Sequence, residues 1–97
     1  MVQEYAISVV ISTHNRCDML PAALESVLEQ QCGETKYEVI VVDNNSTDRT
    51  KEVVEPFLAR NANLRLVFEP KQGISHRRNS GIAHSNAPII AFFDDDV

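Results

Sequence analysis

Three adjacent carboxylates, Asp94, Asp95 and Asp96, follow directly on the apolar run Pro88-Ile89-Ile90-Ala91-Phe92-Phe93. Like charges side by side repel, so placing them next to an apolar strand costs stability unless a cation offsets them. Carboxylate oxygens suit hard ions such as Mg²⁺ and Mn²⁺, which keep part of their water shell and bridge to substrate phosphates. The triplet is expected to be a divalent-metal site for a nucleotide-diphosphate ligand at the end of a buried strand. The plainer reading of an acidic triplet is a solvated loop. The strand before it, and the company of other polar clusters, weigh against that reading.

Asp43 closes a second apolar run, Tyr37-Glu38-Val39-Ile40-Val41-Val42. A carboxylate there can accept hydrogen bonds from a base or a ribose. It can equally open the loop as an Asx-turn residue or take part in capping the next helix. Asn45, Ser46 and Asp48 read as turn and capping residues. The first apolar run is followed by Ser12-Thr13-His14-Asn15-Arg16 and the third by Glu69-Pro70-Lys71-Gln72-Gly73. Arg77 and Arg78 could neutralise a diphosphate or pair with an aspartate, although adjacent arginines more often form a solvated helix face. His14 and His76 are possible ligands, but lone histidines on loops and helices mostly are not. His84 reads as a surface residue.

Each cluster needs an element to hold it, and the hydrophobic pattern supplies one. Tyr5 to Ile11, Tyr37 to Val42, Leu64 to Phe68 and Pro88 to Phe93 read as strands. Arg65 makes the third the more exposed, and Pro88 suits the start of the fourth. Between them lie three helical patterns. The first carries Leu20, Ala23, Leu24, Val27 and Leu28, with Asp18 as N-cap and Gly33 as terminator. The second is capped by Ser46 or Thr47 and carries Val53, Val54, Phe57 and Leu58, with Pro56 expected to kink or shorten it. The third spans Gly73 to Ser85. Alternating strands and helices imply right-handed crossovers and a doubly wound parallel α/β sheet with helices on both faces. Ligands of such sheets bind outside the carboxyl ends of the strands, where the strand order reverses. The expected order is 3-2-1-4, with the switch between the first and fourth strands. A four-stranded sheet ending on its most polar motif reads as the front part of a longer domain.

Bulk properties narrow the classes. The chain of 97 residues suits one small domain, and its 43% hydrophobic and 24% charged content is that of a globular protein. A net charge of −5 argues against nucleic acid, because phosphate backbones call for a basic surface. An anionic ligand then needs a bridging metal. No apolar run approaches the roughly 18 residues of a membrane span, and the first residues lack the order of a signal peptide. Cys17 and Cys32 flank a helix of about 22 Å, too far for a disulfide. Two free thiols fit a reducing, cytoplasmic setting.

Four stretches, V-V-I-S-T-H-N-R (9–16), V-I-V-V-D-N-N-S-T-D-R-T (39–50), K-Q-G-I-S-H-R-R-N-S-G-I (71–82) and I-I-A-F-F-D-D-D (89–96), together resemble the donor-binding half of a family-2 glycosyltransferase of the GT-A fold. They stand in the family's order and cover nearly the whole chain. The resemblance implies that Ser12, Thr13, Asn15 and Arg16 line the nucleotide pocket. It matches Asp43 to the aspartate that contacts the base, usually uracil, and Arg78 to the arginine near the base or diphosphate. It also matches Asp94, Asp95 and Asp96 to the D-x-D-type motif. There Asp94 and Asp95 meet the nucleotide sugar, with Asp94 towards the ribose, and Asp96 with Asp94 holds Mn²⁺ or Mg²⁺. Two departures stand out. Asn44 replaces a second carboxylate, and Arg77 stands where a small residue is common.

The implied reaction is metal-dependent transfer of a sugar, most simply UDP-linked, to an acceptor hydroxyl with inversion. The family's general base lies well after the D-x-D motif, beyond Val97. These 97 residues are therefore expected to bind donor and metal without transferring sugar, and to self-associate through uncovered surfaces. The competing readings are a Mg²⁺-dependent nucleotidyl- or phosphoryl-transfer domain and a non-catalytic nucleotide-binding fragment. A receiver-type domain would carry acidic residues after the first strand, where Ser12-Thr13-His14-Asn15 has none. Dinucleotide binding lacks its G-x-G-x-x-G.

Overall fold

A computed structural model describes residues 5–29 and 36–94, with Asp94 defined by its backbone alone. Cys32, Gly33, Asp95 and Asp96 lie outside the described residues, so the expectations placed on them are not addressed by it. The elements alternate as β1 (Ile7–Thr13), α1 (Leu20–Leu28), β2 (Tyr37–Asp43), α2 (Thr50–Arg60), β3 (Leu64–Phe68), α3 (Ile74–His84) and β4 (Ile89–Asp94). The strands form one parallel sheet in the order β3-β2-β1-β4, as the pattern predicts.

Strand alternation divides the core between two faces. Val9, Ile11, Val39 and Val41 pack with Leu20, Leu24 and Val27 of α1 and Val54 and Phe57 of α2. Leu20 and Leu24 are fully buried, and each contributes about 1.5–3 kcal/mol through its apolar area. Val10, Ile40 and Val42 face the other way, towards α3. The helix approaches closely there because Gly81 presents no side chain. A Cβ at that position would stand 2.5 Å from Val10 Cγ1. Chain progression reverses after β3, and α3 crosses on the opposite face, as right-handed crossovers require.

Several boundaries differ from the sequence pattern. No side chain caps α1, and Asp18 is not its N-cap. Its start is fixed by the Met19 and Leu20 amides, both bonded to the Arg16 carbonyl at 3.0 Å. The helix ends at Leu28, where the Tyr37 hydroxyl donates to the carbonyls of Val27 and Leu28 at 3.0 and 3.3 Å. That phenol takes over carbonyls a helix end leaves open. α2 starts at the N-cap Arg49 without a side-chain cap, and neither Ser46 nor Thr47 caps it; its first turn is held instead by Asp48, one residue before the cap. Asp48 Oδ1 accepts from the Thr50 amide at 3.0 Å and from the Thr50 hydroxyl. Pro56 does not shorten α2, which runs through it to Arg60. Both Pro56 and Glu52, four residues earlier, are exposed, so the carbonyl deprived of its donor can be hydrated.

The fourth strand is not buried. It pairs only with β1 and forms the edge of the described sheet, leaving Ile89, Phe92 and Phe93 58%, 44% and 45% exposed.

A polar anchor lies at the amino edge of the sheet. Glu38 is only 2% exposed. It accepts from the Ser8 hydroxyl at 2.5 Å, the Asn86 amide at 2.7 Å and Arg65 Nη2 at 3.1 Å. Burial pushes the Glu38 carboxyl up, but the Ser8 and Asn86 hydrogen bonds and the Arg65 charge together hold it below the usual glutamate range. Arg65 also donates to the His84 carbonyl, so Glu38 ties the end of α3 to the strands beneath it. No helix among the described residues is long and apolar enough to cross a membrane.

Candidate functional site

The strand register gathers the polar clusters at one edge. Thr13 pairs with Asp43, Asp43 with Phe68, and Ser12 with Asp94. The ends of β1, β2 and β4 therefore stand side by side at the switch between β1 and β4. Parallel sheets place ligands at this position.

Asn44 locks this edge. It is 1% exposed. Its Nδ2 donates to the carbonyls of Glu69 and Lys71 at 3.2 and 2.8 Å, and its Oδ1 accepts from the Gly73 amide at 3.0 Å. Its own amide donates to the Thr13 carbonyl at 2.8 Å, and its carbonyl accepts from His14 Nδ1 at 2.7 Å. One side chain with both a donor and an acceptor end thus joins the loop after β2 to the loop after β3 and the start of α3, while the Asn44 backbone holds the end of β1 and His14. A carboxylate could not donate to two carbonyls, which accounts for the D-N-N-S departure in the second motif.

The first two loops are also clasped to each other. Asn15 adopts the left-handed conformation, at φ 53°, which asparagine tolerates better than most residues. Its amide donates to Ser46 Oγ at 2.9 Å, and its Oδ1 accepts from the Thr47 amide at 2.7 Å. Asp48 Oδ2 accepts from the Cys17 amide at 3.1 Å. Burial raises the Asp48 carboxyl, but bonds from Thr50 and Cys17 more than offset it and hold it below the ordinary aspartate range. His14 is a clamp between loops: with Nδ1 donating to Asn44, Nε2 accepts from Asn15 Nδ2 at 3.4 Å.

The site residues expected from sequence fall into three groups. Ser12, Thr13 and Asp43 lie at the strand ends themselves. Asp43 is 7% exposed, and its Oδ1 accepts from the Ser46 amide at 3.0 Å. One oxygen thus orders the loop after β2 through a bond three residues on, yet its second oxygen has no partner among the described residues. Asn15 and Arg16 are exposed loop residues. The side chain of Asn15 is engaged with the second loop, and Arg16 Nη1 reaches Met19 Sδ at 3.7 Å, towards α1. Arg78 is exposed, with its guanidinium 5.6 Å from the centre of the Phe92 ring. Asp94 is placed by its backbone register beside Ser12. Among the described residues no group of three His, Cys, Asp or Glu could hold a metal ion.

Two buried side-chain atoms among the described residues lack a partner, Thr13 Oγ1 and Arg77 Nε. An unsatisfied buried donor or acceptor costs on the order of 1–3 kcal/mol. Thr13 was legible as a site residue from the motif. Arg77 was legible only as one of two adjacent arginines that could meet a diphosphate, with a solvated face the commoner reading of such a pair. The signal available was its spacing of four residues from Gly81.

The model for glycosyl transferase family 2 matches residues 8–97. The chain belongs to that family. It is 40% identical over 91 residues to the glycosyltransferase AglE of Haloferax volcanii, covering 93% of this chain and 30% of that protein. It is 36% identical over 93 residues to validoxylamine A glucosyltransferase of Streptomyces hygroscopicus subsp. jinggangensis, covering 94% and 22%. The chain thus spans less than a third of the length of these relatives. Among solved structures, the mannosyltransferase PcManGT from Pyrobaculum calidifontis in complex with GDP-Man and Mn²⁺ superposes with a TM-score of 0.86. It is 28% identical and covers 98% of this chain and 28% of that one. TarS of S. aureus in complex with UDP-GlcNAc gives a TM-score of 0.79 at 30% identity, covering 94% and 26%. The fold is that of the GT-A glycosyltransferases.

Proposed function

We propose that these 97 residues are the donor-binding part of an inverting, metal-dependent glycosyltransferase that uses a nucleoside-diphosphate sugar. The observation that carries this reading is the convergence of Thr13, Asp43 and Asp94 at the carboxyl edge of the sheet, Thr13 in register with Asp43 and Ser12 with Asp94. Support also comes from relatives named as glycosyltransferases and from PcManGT and TarS, whose structures are complexes with GDP-Man and UDP-GlcNAc. UDP is the nucleotide we expect first, with GDP the nearest competitor.

In this reading the free oxygen of Asp43 accepts from the base, with Ser12, Thr13, Asn15 and Arg16 bordering the nucleotide and Arg78 near the base or diphosphate. Asp94 and Asp95 contact the donor, and Asp94 with Asp96 holds Mn²⁺ or Mg²⁺. An all-oxygen set directly after β4 suits such an ion. The bound cation supplies Lewis-acid stabilisation of the charge that develops on the leaving diphosphate. The chain's own part is to hold the nucleotide so that charge develops at a fixed place. The acceptor hydroxyl must lose its proton to a general base, which we place outside these 97 residues. The chain then binds donor without transferring sugar, and its open β4 edge favours self-association.

Calorimetry with UDP and GDP, with and without Mn²⁺, tests the reading. Wild type should bind one of them in a Mn²⁺-dependent manner. Asp43→Ala should weaken it roughly ten- to hundredfold through the lost charge-assisted bond, and Asp96→Ala should remove the Mn²⁺ dependence. Binding of neither nucleotide, or acceptor-dependent sugar transfer by the isolated chain, would contradict it.

A further inference from the structure

We propose that Arg77 is a second cationic contact for the donor diphosphate, reaching the strand ends from the sheet-facing side of α3. This rests on the donor-site reading above.

Arg77 belongs to the stripe of α3 that faces the sheet. Ser80 and Gly81 are the buried residues of that helix, and Arg77 precedes them by three and four positions, the spacing of one helical face. It is half-buried, whereas its neighbours His76, Arg78 and Asn79 are exposed. Gly81 stacks on Val10. A helix that links parallel strands runs back against them, so one turn earlier in α3 lies nearer the carboxyl edge. Four helical residues advance about 6 Å, and two strand residues about 6.6 Å. Arg77 therefore stands over Ser12, the residue in register with Asp94 and next to the Thr13–Asp43 row.

Its chemistry is unspent. Arg77 Nε is buried without a hydrogen-bond partner, and the guanidinium forms no ion pair among the described residues. Other arginines are engaged: Arg65 with Glu38, Arg49 with Glu52, Arg60 over Phe57 and Arg78 over Phe92. The second unpartnered buried atom, Thr13 Oγ1, belongs to the same edge. A fold that satisfies the Asn44 and Glu38 side chains so fully leaves these two groups open where a ligand is expected. A guanidinium presents a planar fork of donors that matches phosphate oxygens in pairs and stays charged when partly buried. A nucleoside alone lacks the anionic oxygens that this charged fork would pair with.

The test is calorimetry of the 97-residue chain with Mn²⁺, using uridine, UDP, guanosine and GDP as probes against wild type, Arg77→Ala and Arg77→Lys. Arg77→Ala should weaken the bound diphosphate at least tenfold and leave the matching nucleoside unchanged. It should also flatten the dependence of affinity on salt, and Arg77→Lys should recover part of the loss. Without ligand, Arg77→Ala should melt no lower than wild type, since the side chain has no hydrogen-bond or ion-pair partner to lose among the described residues. If diphosphate binds wild type and Arg77→Ala equally, or nucleoside and diphosphate weaken together, the Arg77 assignment fails and the donor-site reading stands. A markedly lower melting temperature for unliganded Arg77→Ala would make the residue an internal partner of a strand-end carboxylate and overturn the proposal. If wild type binds no probe, both readings fall.

Discussion

At the scale of single residues, the site edge depends on Asn44 more than on any carboxylate. Its amide makes three side-chain hydrogen bonds to three different backbone groups while almost wholly buried. Asn44→Asp keeps the shape but turns two donor contacts into oxygen facing oxygen and introduces a buried charge. We expect a loss of about 2–4 kcal/mol, combining two lost bonds with the unsatisfied carbonyls they leave. Urea denaturation at neutral pH measures it, and a change under about 0.5 kcal/mol, the range of a surface substitution, would refute the staple. Restoring the acidic pair D-D seen in many family members is thus predicted to harm this chain. The sequence motif marked Asn44 as a departure without saying why. The reason is visible only when Glu69, Lys71 and Gly73, some 25 to 29 positions away, are brought to it.

At the scale of elements, strand type and order were legible because the apolar runs are short, β-branched and regularly interrupted, and crossover handedness leaves few topologies. Helix ends were harder. Asp18 looks like an N-cap, yet α1 starts on backbone bonds to Arg16, and its other end is finished by Tyr37 from the next strand. Such partners are distant in sequence, so local pattern cannot name them. Glu38 was lost in the same way, inside a run that reads as a buried strand. Its network makes α3 docking sensitive to acid. The folded-state carboxyl lies below the ordinary value of 4.5, so its contribution is present above that value and disappears as pH falls through the lower folded one. Glu38→Gln should cost about 1–3 kcal/mol at neutral pH and flatten the loss of stability below about pH 4.5. Thermal melts of both proteins across the acid range provide the comparison. An unchanged acid limb in the variant would show that other carboxyls set it.

At the scale of the whole molecule, the sheet is well covered at β1 and β2, only partly at β3, and poorly at β4. The helices α1 and α2 pack over β1, β2 and β3, and α3 packs over β1 and β2. Ile89 and Phe93 fall on one side of the fourth strand and Phe92 on the other, all exposed, with Ile82 of α3 exposed as well. A strand edge with apolar side chains on both sides offers unpaired backbone groups and apolar area to any second copy. We therefore expect the isolated chain to associate with itself as its concentration rises. Phe93→Lys should suppress this, because a charge on an edge strand opposes pairing, with little effect on the fold at an exposed position. Phe92 is the poorer choice for the test, since it also carries the Arg78 contact. Light scattering after size-exclusion chromatography, run over a wide concentration range, separates the cases. A mass that rises with concentration in wild type and stays at one chain in Phe93→Lys supports the edge as the contact. A wild type that remains at one chain throughout would show that the β4 edge is protected despite its composition. Association that persists in Phe93→Lys would move the contact to another surface.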